Sequence, residues 1–175
     1  MESLSFNLSD GGVRPLNQHL HGPAAELTGQ HVRVLNPDGA HNIAVGMNAA
    51  VKVTIEGHAG YYAAGMNKLA DVTIEGSAST GVAENMMSGT VWVKGNASQS
   101  AGATGHGGLL VIEGDAAARC GISMKGIDIV VHGNIGHMSA FMGQSGHLVV
   151  CGDAGEALGD SIYEAKLFVR GSVKS

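Results

Sequence analysis

A 19-residue repeat runs through most of the sequence. Seven glycines share one register at this period: Gly57, Gly76, Gly95, Gly114, Gly133, Gly152 and Gly171. Two columns lie four and two positions before each glycine, and every member is Val, Ile or Leu, from Val53 and Ile55 to Leu167 and Val169. A fixed period of this length is typical of solenoids, in which each repeat stacks on its neighbours. The chain is therefore predicted to consist of stacked coils.

Each repeat predicts one short β-strand followed by a turn. Aliphatic residues at alternate positions share one face of a strand, and the glycine is expected to end the strand with a positive φ. We predict an all-β fold, a right-handed parallel β-helix of about eight coils, in which equivalent strands pair. Continuing the 19-residue register upstream puts Val34 opposite Val53, where the pattern frays. A left-handed hexapeptide helix is excluded, because the repeat contains no six-residue sub-pattern.

The repeat also divides the chain in two. Residues 32–175 are predicted to form the β-helix, and residues 1–31, which lack the repeat, to form an N-terminal cap. A short helical turn after Pro15 would cover the open first coil. A cap is expected because an open solenoid end exposes unpaired backbone groups.

Composition and charge exclude several classes of protein. The formal net charge is −5 and the ten Lys and Arg residues are scattered, so we expect no nucleic-acid partner. The apolar runs are too short to cross a membrane. The start lacks a signal-like pattern, so we expect a cytoplasmic protein. Cys120 and Cys151 are far apart and neither belongs to a C-x-x-C pattern, which fits neither a zinc site nor an iron–sulfur cluster contained in this chain.

No pattern in the sequence indicates an active site. The nine histidines fall in different columns of the repeat, whereas metal ligands must converge. Glu56, Glu75 and Glu113 share a column, but Lys94 stands among them, which indicates a ladder of alternating charges rather than a catalytic pair. The glycine-rich stretch 102–108 precedes a strand and not the helix that a dinucleotide site requires. We expect no catalytic residue, cofactor or metal in this chain.

The middle residue of each predicted strand points outward, and this outward column is largely apolar. In the 19-residue register it reads Leu35, Thr54, Thr73, Trp92, Val111, Val130, Val149 and Phe168. An exposed apolar patch of this extent is typical of a contact surface. The candidate interface is therefore Leu35, Trp92, Val111, Val130, Val149 and Phe168. Two alternatives remain: these residues are simply good strand formers, or residues 1–31 fold back over them.

Two stretches resemble a known family. The spacing Gly152-x-x-Gly155-x-x-x-Gly159, in a β-helix with a glycine at every turn, resembles the GXGXG domain at the C-terminal end of the glutamate synthase large subunit. The stretch Arg14-Pro15-Leu16-Asn17-Gln18-His19-Leu20-His21 is similar to the element that opens stand-alone versions of that domain. Such chains form the middle subunit of three-part glutamate-synthase-like systems, and this chain resembles the B subunit of N-methylglutamate synthase (methylamine–glutamate N-methyltransferase).

The resemblance implies a division of labour in a hetero-oligomer. One partner would be a glutamine-amidotransferase-like subunit, and another would carry FMN on a glutamate-synthase-like barrel. The present chain would be a non-catalytic scaffold between them, in an enzyme that converts glutamate and methylamine to N-methylglutamate and ammonia. The β-helical subunit of formylmethanofuran dehydrogenase is the alternative complex. A β-helical enzyme and an independent binding module remain as other classes.

Overall fold

A computed structural model describes residues 3–175 and shows nine parallel strands wound into a β-solenoid. Each strand is hydrogen-bonded to its neighbours in the sequence, in the order β1 to β9. The strands are β1 (Ser3–Asn7), β2 (His31–Leu35), β3 (Lys52–Ile55), β4 (Asp71–Ile74), β5 (Thr90–Val93), β6 (Leu109–Ile112), β7 (Lys125–Val131), β8 (Ser145–Val150) and β9 (Lys166–Val169). The predicted all-β parallel solenoid is confirmed.

The number of coils differs slightly from the prediction of eight. Seven complete turns connect β2 to β9, and from β3 onward the strand pairing follows the 19-residue period, as in Val53 opposite Val72. The first turn is longer by two positions, because Val32 and not Val34 pairs with Val53. The predicted pairing of Val34 with Val53 is therefore wrong by two residues.

One of the two extra residues lies in the loop that follows β2, and the other lies just after Asn48. Asn36, Asp38 and Gly39 all have positive φ values there, so the loop bulges out of the repeat. The spacing is still 20 residues at the bridge between Asn48 and Lys68. It is 19 residues from Val51, whose carbonyl O accepts from the Asp71 N–H as that of Ala70 does from the Thr90 N–H one coil later. Both insertions lie in the first turn and leave the later coils unchanged.

The N-terminal segment contains a strand that the repeat did not reveal. In β1, Leu4 lies opposite Val32 and Phe6 opposite Val34, so both continue the aliphatic columns. Three helices intervene between β1 and β2: α1 (Leu8–Gly11), α2 (Val13–Leu20) and α3 (Ala24–Leu27). They make this connection longer than the repeat, so a search at a 19-residue period cannot detect the strand.

Helix α2 covers the first coil with an apolar face. Leu16 and Leu20, one helical turn apart, are both fully buried. The helix begins at Val13, before Pro15 and not after it as predicted. Proline is tolerated there because the first N–H groups of a helix have no partner within the helix.

The same helix bonds the exposed backbone of the first coil. The Asn17 amide donates from Nδ2 to the Asn42 carbonyl (2.7 Å) and accepts at Oδ1 from the Ala44 N–H (3.0 Å). His21 Nε2 lies 2.6 Å from the Val45 carbonyl O, to which it donates. These side chains take the place of a preceding coil, so that the backbone groups of Asn42, Ala44 and Val45 are not left unpaired.

The repeated glycines form a continuous hydrogen-bond ladder along one corner of the solenoid. From Gly76 onward, the N–H of each donates to the carbonyl O of the glycine one coil earlier, at 3.0–3.1 Å. The expected positive φ is wrong for six of the seven, since only Gly57 has one (147°). Glycine is required at these corners because successive coils approach closely: a Cβ at Gly133 would lie 2.7 Å from the Gly114 carbonyl O.

A second ladder runs beside the glycines and uses polar side chains. Asp115 Oδ1 accepts from the N–H of Asn134 at 2.7 Å, and Asn134 Oδ1 accepts from the N–H of Asp153 at 2.8 Å. The accepting side chains are His58, Ser77, Asn96, Asp115, Asn134 and Asp153. The Ser172 backbone N–H holds the pKa of Asp153 below its usual value. These residues tie successive coils together outside the core.

The wall opposite the sheet has an unusual backbone. In each coil, three alternate residues of this wall have positive φ, and many of them are not glycine, such as Ala64 (54°), Ala83 (55°) and Ala140 (53°). A left-handed conformation costs roughly 1–2 kcal/mol for an L-residue with a Cβ. Hydrogen bonds between coils offset that cost, for example the bond from the Ala83 N–H to the Ala63 carbonyl O (3.0 Å).

Candidate partner interface

The predicted outward column is continuous in the sheet from β3 to β9. Its members lie directly opposite one another on adjacent strands: Thr54, Thr73, Trp92, Val111, Val130, Val149 and Phe168. Trp92 is 38% exposed and Phe168 53%, whereas Val111 is only 8% exposed. Val130 and Val149 are half-buried. Apolar side chains thus cover the outer face of five successive strands.

Leu35 does not belong to this column. Arg33 pairs with Thr54 and occupies the corresponding place in β2, while Leu35 lies opposite Asn7 of β1. The two extra residues of the first turn caused the error, because counting back one 19-residue period from Thr54 reaches Leu35. The outer stripe is therefore defined as Trp92, Val111, Val130, Val149 and Phe168.

The N-terminal segment does not cover the outer stripe. Strand β1 pairs with β2 at the first edge of the sheet, and the hydrogen bonds made by residues 3–29 reach no further along the chain than Ala50. Folding back of residues 1–31 was one alternative explanation for the stripe. For the described part of that segment, residues 3–31, this alternative is wrong.

Trp92 is held in one orientation by two charged neighbours. Its indole Nε1 donates to Glu113 Oε1 at 2.8 Å, and Lys94 Nζ lies 4.6 Å from the ring centroid and 3.2 Å from the same oxygen. The Trp92 hydrogen bond, followed by that of Lys94, lowers the pKa of Glu113. A large aromatic side chain that is already ordered loses little entropy when a partner covers it.

The C-terminal end of the outer stripe forms a shallow groove of about 550 Å³. Val149, Cys151, Phe168 and Arg170 line it. The His147 ring stacks on Phe168 with 6.3 Å between centroids, and its Nδ1 lies 2.8 Å from Asp128 Oδ1. The groove therefore combines an apolar floor with polar side chains along its edges.

The two cysteines are expected to react differently with thiol reagents. Burial raises the pKa of Cys120 to about 12, whereas the Cys151 side chain is exposed. Because the thiolate is the reactive form, native protein should add one maleimide per chain, and Cys151→Ser protein should add none on the same time scale. Intact mass before and after denaturation measures both. Rapid addition of two labels to native protein would contradict the structure.

The rest of the described surface offers little else for chemistry. Within residues 3–175, no group of three or more His, Cys, Asp or Glu side chains is placed to hold a metal ion. No helix in this part of the chain is both long and apolar enough to cross a membrane. A cavity of about 330 Å³ lies between the cap helices and the first coil, where His21 is already bonded to Val45. The prediction that this chain carries no catalytic residue or cofactor stays a prediction.

The fold and the outer stripe together define a β-solenoid protein with an apolar face suited to contact with another protein. Protein GlxC of Rhizobium meliloti (strain 1021) is 64% identical to the chain over 170 residues, which cover 97% of this chain and 75% of the relative. The chain belongs to the family of Protein GlxC. No protein-family model matches the sequence.

Proposed function

We propose that this chain is a non-catalytic scaffold subunit of a glutamate-synthase-like enzyme complex, and that the outer stripe is where a catalytic partner binds. The single observation that carries the proposal is the stripe itself, five neighbouring apolar side chains on an outer sheet face. Exposed apolar surface of this kind is typical of protein contacts.

The resemblance to the GXGXG domain supplies the identity of the complex in this proposal. The partners would be a glutamine-amidotransferase-like subunit and an FMN-binding glutamate-synthase-like subunit, in the cytoplasm. The complex would be N-methylglutamate synthase, which forms N-methylglutamate from glutamate and methylamine. The role of Arg14–His21 in capping the first coil supports the likeness, because that element has a clear structural purpose here.

Aspartate in the outer stripe is expected to break the complex. Val130→Asp and Val149→Asp would each bring a carboxylate into the apolar contact, with an expected loss of affinity of about 30-fold, or about 2 kcal/mol. The chain would be co-expressed with the two candidate subunits, and association measured by size exclusion and mass photometry. N-methylglutamate formation by the purified complex tests the assigned reaction.

Thr54→Asp is the matched control, because Thr54 lies in the same outward column but four strands from Val130. It should leave association unchanged, and thermal melting should show that all three variants are folded. Full assembly of both valine variants would refute the interface. Turnover by the isolated chain would refute the non-catalytic role.

A further inference from the structure

We infer that the outer face of strands β4 to β7 is the centre of the partner contact, where Trp92 enters an apolar recess of the partner that has lysine or arginine side chains at its rim. This inference rests on the proposed function and adds the chemistry of the partner to it. It is carried by two observations on the same face: an ordered, exposed aromatic side chain and an excess of negative charge around it.

Trp92 lies on an inner strand of the sheet, with a further strand on each side. It faces Thr73 of β4 and Val111 of β6. Its side chain is 38% exposed, and that of Leu109, which points outward from β6, is 37% exposed. Two large apolar side chains on adjacent strands are therefore accessible to a partner.

Trp92 is the side chain of the outer stripe best suited to anchor a contact. Its ring is already held by the Glu113 carboxylate, to which Nε1 donates, and by the Lys94 ammonium group, 4.6 Å from the ring centroid. Tryptophan is enriched among the few residues that dominate the binding energy of an interface. A side chain that is ordered in advance also loses little conformational entropy on binding.

The outward side chains around Trp92 carry an excess of negative charge. Along β4 to β7 they include one ammonium group, that of Lys94, and four carboxylates: Asp71, Glu75, Glu113 and Asp128. One positive and four negative charges leave a net charge of −3 when the histidines are neutral. A positively charged partner surface is therefore attracted to this face.

Glu75 makes no ion pair within residues 3–175. It follows Ile74, which lies opposite Ile55 of β3 and Val93 of β5, so its neighbours are the next residues of those strands, Glu56 and Lys94.

Both of these neighbours already have a partner of opposite charge. Arg33 binds Glu56 at 2.6 Å, and Lys94 binds Glu113 at 3.2 Å. The Glu75 carboxylate is therefore available to a cation from another molecule.

Asp71 is the second available carboxylate of β4. It lies opposite Lys52 of β3 and Thr90 of β5, and in the described chain no ion pair joins it to Lys52. Asp71 and Glu75 stand on the two sides of Thr73, which faces Trp92. Strand β4 thus presents two carboxylates directly beside the aromatic anchor.

A basic and apolar protein surface fits this face better than a second copy or a metal ion. Two copies would bring faces of the same negative charge together, which is unfavourable. The Cα atoms of Asp71 and Glu75 are about 13 Å apart along the strand, so one ion cannot bind both carboxylates, and an ion would leave Trp92 uncovered. Lysine or arginine side chains around an apolar recess satisfy both requirements, and they give an attraction that salt weakens.

Trp92→Ala tests the apolar part of the contact in the purified three-subunit complex. Its association with the partner subunits is expected to be at least about 30-fold weaker than that of the unsubstituted chain. Tyr61→Ala is the matched control, because Tyr61 is an aromatic residue with 56% exposure that lies outside the strands of the sheet. It should leave association unchanged, and thermal melting should show that both variants are folded.

Trp92 also provides a measurement that needs no substitution. It is the single tryptophan of the chain, so incorporation of 5-fluorotryptophan gives one fluorine NMR signal. Assembly with unlabelled partner subunits should shift this signal and remove its isotope shift between light and heavy water. A signal that is unchanged in the complex would overturn the placement of the partner.

The double variant Asp71→Lys/Glu75→Lys tests the charge of the partner. Its association is expected to be at least about tenfold weaker at about 50 mM salt, with a much smaller dependence on salt. Asp71→Asn/Glu75→Gln, which keeps the shape of both side chains, should show a smaller loss in the same direction. Glu156→Lys/Asp160→Lys is the matched control, because it makes the same change of charge in the exposed loop between β8 and β9. It should behave like the unsubstituted chain.

The outcomes separate this inference from the proposed function. If the valine variants prevent assembly but Trp92→Ala or the double lysine variant does not weaken it, the partner chemistry is wrong and the scaffold role stands. If the unsubstituted chain does not associate with the two subunits, both fail. Dimerisation of the isolated chain that is lost in Trp92→Ala protein would assign this face to a second copy and overturn the inference.

Discussion

Gly133→Ala is expected to lower the free energy of unfolding by about 3 kcal/mol or more. The added Cβ would meet Asp115 Oδ1 and would lie 2.7 Å from the carbonyl O and 2.9 Å from the carbonyl C of Gly114. Those atoms belong to the coil below, which the Gly133 N–H holds by a 3.0 Å hydrogen bond. The clash is with backbone, so no change of rotamer relieves it. Equilibrium unfolding in urea, followed by circular dichroism, measures the loss.

Gly29→Ala is the matched control for this prediction. Gly29 has a positive φ (81°), but an added Cβ there would have no heavy atom within 4 Å. The free energy of unfolding of Gly29→Ala protein should fall by only about 1 kcal/mol, which is the conformational cost of a left-handed alanine. Similar losses at the two positions would mean that conformation, and not the approach of the coils, requires glycine in the repeat.

Leu16→Ala is expected to destabilise the first coil by about 3 kcal/mol. Leu16 is fully buried under α2, and its loss would loosen the helix whose Asn17 bonds the exposed backbone of Asn42 and Ala44. Each coil of a solenoid contacts only its neighbours. Amide hydrogen exchange should therefore show that β2 and β3 lose protection while β8 retains it.

Gln18→Ala is the control on the same helix, because Gln18 is exposed two positions from Leu16. Its exchange pattern should equal that of the unsubstituted protein. An even loss of protection from β2 to β8 in Leu16→Ala protein would show that the solenoid unfolds as one unit. No loss at all would show that α2 does not stabilise the open coil.

The solenoid could be predicted from the sequence because its signal is repeated. Any one strand, such as β3 (Lys52–Ile55), is too short to be recognised alone, but seven copies in one register fix the faces, the pairing and the direction of the strands. The outer stripe followed from the same register, and its members from Trp92 to Phe168 lie where the count placed them. Leu35 did not, because the two extra residues of the first turn shift every position upstream of them.

The left-handed wall and the cap contacts could not be predicted. Ala64 and Ala140 give no sequence signal for positive φ, since alanine adopts that conformation only where neighbouring coils impose it. The Ala44 N–H donates to Asn17, which lies in helix α2 far upstream, and nothing in the repeat relates the two.

The sequence alone determined the stacked architecture, because a strict period forces equal residues into equal environments. Only the tertiary structure decided why glycine is needed at the corners and how the first coil is closed. These features depend on distances between successive coils and between side chains far apart in the chain. A one-dimensional pattern records which residues are equivalent, but it does not record how closely their atoms approach.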